Sequence, residues 1–239
     1  MAKQPILSLG QRLLLASQGL APLAVKVPVV LQLGPQRVAQ MAPHMPAEQL
    51  RELIIALPID FLAQATVHLD PRLILEAYLS LPDSLHLEVA RQLCDDRQFA
   101  TAARYAECLS AKQLKVLIFG LNSPENVLQI ARHIQDMDLI VQALRTFSSG
   151  YLCKLTEAAL ADGNGAVVVR VLGGLPLARQ ADVCANLHPN ALQGLLLELL
   201  AAGDQGLREY LPVRLLRVIE QSTGTFGDND LVEQFSTFK

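Results

Sequence analysis

Apolar residues recur three and four positions apart along most of this chain, and the pattern stops at nearly even steps. The stops are Leu57-Pro58, Leu69-Asp70-Pro71, Leu81-Pro82-Asp83, Leu93-Cys94-Asp95-Asp96, Leu109-Ser110, Leu121-Asn122-Ser123-Pro124, Ile134-Gln135-Asp136, Phe147-Ser148-Ser149, Leu160-Ala161-Asp162, Leu175-Pro176, Leu187-His188-Pro189 and Leu200. Eleven steps cover 143 residues, a mean of 13. Short helices of nearly equal length, each ended by a turn residue, are the mark of a helical repeat array. Val127, Leu128, Ala131 and Ile134, then Leu139, Ile140, Ala143, Leu144 and Phe147, show the helical spacing within single steps. A helix of 9–11 residues is about 15 Å long and marginal alone in water, so neighbours must hold it. Two such helices and their turns make a hairpin of about 25 residues, and stacked hairpins bury a continuous core.

Start signals agree with the stops. Pro46, Pro71 and Pro82 stand where a first-turn proline is tolerated. Ser110 with Gln113 fits a capping box, and Ser123-Pro124-Glu125 sets a cap, a proline and an early acid in sequence. The β-branched run Ala166–Leu172 keeps the repeat spacing and is read as helix. Gly163-Asn164-Gly165 and Gly173-Gly174 are read as a bend or hinge.

Residues 1–45 differ from the rest. A short helix is expected from Leu9 to Gly19, and Val25–Leu31 reads as extended, without a partner strand. This segment is expected to cap one end of a single repeat domain over 46–221. The alternative is a peripheral membrane anchor, with Arg12 and Lys26 at its margins. Residues 222–239 read as a flexible tail.

Composition narrows the class. Apolar residues make up 51% of the chain and mean hydropathy is +0.29, which excludes global disorder. Leu and Ala supply that content, aromatics are 5% and Trp is absent, so helices are expected and strands are not. Net charge is −3, and Lys and Arg are scattered singly, so no basic footprint for nucleic acid forms. Cys94, Cys108, Cys153 and Cys184 belong to no CxxC pair and sit in apolar stretches, as in a reducing cytoplasm. No uninterrupted apolar stretch is long enough for a transmembrane helix or a secretory leader.

Three segments share one phrase, an apolar run ending in Leu and a proline or capped turn: Leu53–Pro58, Ile74–Pro82 and Val116–Pro124. The phrase resembles the short-helix superhelix of the MgtE magnesium-transporter intracellular N-domain and the flagellar-motor-switch helical repeats. That resemblance implies a right-handed superhelix that binds other protein segments. The dense acidic residues of the transporter domain are not present here, so it extends to fold and binding and not to Mg²⁺ sensing.

The common catalytic and nucleotide-binding motifs are absent, which argues against the common enzyme classes. His68-x-Asp70 and His86-x-Glu88 could approach a metal only if adjacent helices aligned them, and they are read as helix-end or surface residues. Cys94 and Cys108 would need a nearby histidine to act as nucleophiles, and both are read as core. Tyr78, Tyr105, Phe99 and Phe119 are read mostly as core too. If Tyr78 and Tyr105 turned outward with Arg104 and Arg132, the four would make a recognition stripe. The expectation is therefore an all-α right-handed superhelix, an α-solenoid of short antiparallel helices. It would be a cytoplasmic, non-catalytic adaptor with no cofactor or metal that binds a protein or peptide partner. Contact with a membrane surface and homo-oligomer formation remain open.

Overall fold

A computed structural model describes residues 22–188 together with 191, 192 and 195. The expected helix at Leu9–Gly19 and the tail at 222–239 lie outside the described residues. Among those described, the chain is all-helical, with thirteen α-helices, two 3₁₀ turns and no strand. The helices are α1 (Leu23–Leu33), α2 (Pro35–Met41), α3 (Ala47–Ala56), α4 (Ile59–Val67), α5 (Leu75–Leu79), α6 (Asp83–Asp95), α7 (Phe99–Ala106), α8 (Ala111–Leu121), α9 (Pro124–Ala131), α10 (Met137–Leu144), α11 (Ser149–Ala161), α12 (Gly165–Gly173) and α13 (Leu177–Asn186). The 3₁₀ turns are Ala42–His44 and Pro71–Ile74.

The stops in the pattern are the joints. At most of them the last apolar residue turns inward: Leu57, Leu69, Leu81, Leu93, Leu109, Ile134, Phe147, Leu175 and Leu187 are all buried. Each anchors a chain reversal to the core, at a gain of about 1.5–3 kcal/mol per buried side chain. At six of them, before Pro58, Asp70, Pro82, Ser110, Ser148 and Pro176, the next residue then caps the following helix or 3₁₀ turn. Ser110 and Gln113 form the expected capping box, and the hydroxyls of Ser123 and Ser148 accept N–H bonds from Asn126 and Tyr151. Most of the junction prolines lie one residue earlier than a first-turn position. Pro46, Pro58, Pro82 and Pro176 are N-caps with ψ near 140–150°, and their carbonyls accept from Leu50, Leu62, His86 and Gln180. A proline there gives up no donor that the helix needs and fixes the extended entry. Pro124 does occupy a first-turn position.

Val25–Leu31 is helical and not extended. Val30 is buried and Val27 packs beside it against Leu53, Leu57 and Phe61. Burial of this stripe outweighs the small β preference of valine. Pro28 lies inside the helix, so the exposed carbonyl of Ala24 loses its helical donor.

Two compact units divide the chain between Asp136 and Met137. In the first unit each helix packs mainly on the helix two places on. One row runs through α1, α3 and α5 and contains the pair α7 and α9; the other runs α2, α4, α6 and α8. The rows share their core: Leu50, Tyr78 and Tyr105 of the first meet Ala39 and Leu117 of the second. In the second unit α10 packs on α12 and α11 on α13. There Gln180, nearly fully buried, donates to the Leu175 carbonyl at 2.8 Å, and Arg179 donates to that of Phe147.

Arginines tie neighbouring helices together. Arg51 of α3 donates to the Ser80 carbonyl at the end of α5 (3.1 Å), and Arg91 of α6 to that of Gly120 in α8 (2.7 Å). Both bonds span 29 residues and set a cation on the negative end of the next helix in the row.

Candidate functional site

Of the four residues assigned to a recognition stripe, the structure turns two inward and uses a third as a cap. Tyr78 and Tyr105 are only 6% and 7% exposed. Their rings meet edge to face with centroids 5.2 Å apart. Tyr78 Oη donates to the Tyr105 carbonyl (3.1 Å), and Tyr105 Oη to the Leu69 carbonyl (3.3 Å). Each hydroxyl thus has an internal acceptor, so the large ring is free to bury. Burial pushes both phenols well above their ordinary pKa. Half-buried Arg104 donates to the Val67 carbonyl at the C-terminus of α4 (3.3 Å) and to Thr101 Oγ1. Its position is set by that helix end. Arg132 is exposed just after α9 and donates to Gln129 Oε1 at 3.2 Å. The outward stripe is therefore not assembled. Tyr78, Tyr105 and Arg104 instead join α4, α5 and α7, with Glu107 adding an ion pair to Arg72 at 3.3 Å and accepting the Gln135 N–H at 2.6 Å.

His86 stands on the other side of Tyr78, with ring centroids 4.6 Å apart in an edge contact. It is 6% exposed, and its Nε2 has no hydrogen-bond partner. Burial lowers its pKa, while Asp83 on the same helix acts in the opposite sense. A base with a depressed folded pKa stabilises the fold above its unfolded pKa of about 6.5 and loses that contribution as pH falls through the folded value. The first unit is thus expected to weaken as pH drops below about 6.5, by at most about 1.4 kcal/mol per pH unit from this group. Urea denaturation at pH 7 and pH 5 checks it. His86→Leu should flatten the difference, and an equal pH response in the variant would assign the acid sensitivity elsewhere.

The cysteines are inward or half-buried. Burial raises the thiol pKa of Cys94 to about 11, with Asp95 adding to the rise, and that of Cys184 to about 12; Cys108 and Cys153 shift the same way. All four are neutral thiols near neutral pH, a poor start for a nucleophile. Exposed His68 ends α4, while His86 is buried in α6. Among the described residues no group of three His, Cys, Asp or Glu side chains converges on a metal position. A small hollow is lined by Val30, Leu33, Val38, Met41, Met45 and Leu53, which offer no titratable group.

What the structure leaves outside is apolar helix surface. Phe119 of α8 is 73% exposed, an exception among the four aromatic residues read mostly as core. It continues an outward face made by Lys112, Lys115 and Val116, opposite buried Leu114, Leu117 and Ile118. Ile55 of α3 and Leu75 and Leu79 of α5 are exposed on the other row. The spacing 112, 115, 116, 119 is itself helical, so α8 carries two stripes, and only the packing partner decides which is core. No helix of the described residues is long and apolar enough to cross a membrane. The chain matches no protein-family model, no curated protein and no solved structure.

Proposed function

We propose that this chain is a non-catalytic helical-repeat adaptor in the cytoplasm. Its short helices stack as hairpins into a right-handed superhelix, of the kind found in the MgtE N-domain and motor-switch repeats, and the outward surface takes a protein or peptide partner. The observation that carries this reading is the exposure of Ile55, Leu75, Leu79, Val116 and Phe119 on helices whose opposite faces already fill the core. These side chains contribute little to the fold, and exposed apolar side chains grouped on helix faces are a feature of interaction surfaces.

The test is quantitative capture of partners from cell lysate by the intact chain, its Phe119→Ser variant and its Leu79→Ser variant. One stoichiometric protein partner is expected, held at least about tenfold less tightly by one of the variants, as for an anchor residue. Equal recovery of the same proteins by all three forms would sink the reading. A second reading has its own observation: α1 exposes Leu23, Val25, Val29 and Leu31, an apolar surface that a membrane interface could take up. Flotation with anionic vesicles, lost on Val25→Ser/Val29→Ser, would favour it over the adaptor.

A further inference from the structure

We propose that the chain assembles head to tail with copies of itself, the acidic and apolar face of α3 and α5 on one copy taking the lysine and apolar face of α8 on the next. The inference rests on the reading above that these exposed faces are docking surfaces, and it names the occupant.

The two faces match in charge and in register. On α3 the outward residues run Glu48, Glu52, Ile55 from N to C terminus, and on α8 they run Lys112, Lys115, Val116, Phe119. Charged positions come first and apolar ones last in both. Two such helices laid parallel put Glu48 opposite Lys112, Glu52 beside Lys115 and Val116, and Ile55 against Phe119. Leu75, Glu76 and Leu79 of α5, which packs on α3, extend the same surface with a further acid and two apolar side chains. Phe119 is the natural anchor, a large aromatic side chain at the apolar end of a cationic stripe. The remaining charges do not oppose the match. Arg51 is drawn sideways onto the Ser80 carbonyl, and Arg72 pairs with Glu107. Beside α8, Glu88 and Arg91 of α6 are exposed with opposite signs.

Geometry sets the mode of assembly. The acidic face lies on the row of α1, α3 and α5, the basic face on the row of α2, α4, α6 and α8, and the buried sides of both rows meet in a shared core. The two faces of one copy point away from each other and cannot close on themselves. A contact between unlike faces is heterologous, so copies add with concentration, ending in a ring where the rotation between successive copies closes and in an open chain where it does not.

Analytical ultracentrifugation of the full chain tests this with two double variants, Lys112→Glu/Lys115→Glu and Glu48→Lys/Glu52→Lys. All four positions are exposed, and circular dichroism checks that each variant is folded. The wild type should rise above its 26.0 kDa monomer mass with concentration, and less so at high salt. Each variant alone should associate at least about tenfold more weakly, and so should Phe119→Ser. An equimolar mixture of the two double variants restores opposite charges at both kinds of contact, the native pairing and its reverse, so it should regain the concentration-dependent growth that each variant alone has lost. A wild type that stays monomeric, or variants that associate as it does, or a mixture that gains nothing, would overturn the proposal. A monomeric wild type that still loses a captured partner on Phe119→Ser overturns self-assembly and leaves the adaptor reading in place.

Discussion

Replacing Tyr78 by alanine is expected to cost the first unit about 3–5 kcal/mol, the range for removing a large ring from a packed core. The ring lies between two others, His86 at 4.6 Å and Tyr105 at 5.2 Å, and its neighbours belong to separate helices. None of them can fill the space without moving its helix. Tyr78→Phe separates the ring from its hydroxyl. It keeps the packing and loses the bond to the Tyr105 carbonyl, which still receives the N–H of Cys108 at 3.2 Å. That loss should be about 1 kcal/mol. Urea denaturation of the two variants measures both. If alanine and phenylalanine cost the same, the packing argument is wrong. If Tyr78→Phe weakens partner binding at unchanged stability, Tyr78 has a role in recognition after all.

Tyr78 also marks where sequence stops being informative. The joints were readable because each rests on local chemistry: a leucine to bury, then a proline, serine or aspartate to start the next helix. Ser110 with Gln113 needed nothing beyond three residues of context. The side that a helix presents is a different matter. Tyr78 and Tyr105 stand 27 residues apart, two steps of the repeat, and that spacing stacks them in one core as readily as on one surface. What settles it is a pair of carbonyl acceptors at Tyr105 and Leu69, brought within reach by the tertiary fold. Phe119 fails for the reverse reason. Its helix carries an apolar stripe at Leu114, Leu117 and Ile118 and a second at Val116 and Phe119, and α6 packs on the first. Arg104 looked like a surface cation because nothing local shows the end of α4 beneath it. Val25–Leu31 looked extended because valine preference was visible and the partners Leu53 and Phe61 were not.

The glycines of the second unit lead to the other large effect. Gly173-Gly174 reads as a hinge, yet the two residues differ. A Cβ on Gly173 would meet nothing within 4 Å, whereas one on Gly174 would lie 2.6 Å from Val141 Cγ2 and 3.1 Å from Cγ1. The backbone of Gly174 is ordinary, with φ −81° and ψ −8°, so any residue can adopt it. Glycine is required there by the approach of α10 to the end of α12, and flexibility has no part in the argument. Val141 is β-branched and held near one rotamer in a helix, so it cannot swing both methyls clear. Gly174→Ala is therefore expected to destabilise the second unit by about 1–3 kcal/mol, the cost of overpacking. The same contact at Gly120 falls on the two terminal methyls of Leu87, at 2.6 and 2.9 Å, on a longer side chain. Gly120→Ala also gains roughly 0.5–1 kcal/mol of helix preference, so it should come out close to neutral. The decisive comparison is Gly174→Ala with Val141→Ala in one chain. If steric contact is the cause, the second change relieves the first, and the pair is less damaging than the sum of the two alone. Strict additivity in thermal denaturation would instead point to a backbone requirement at Gly174.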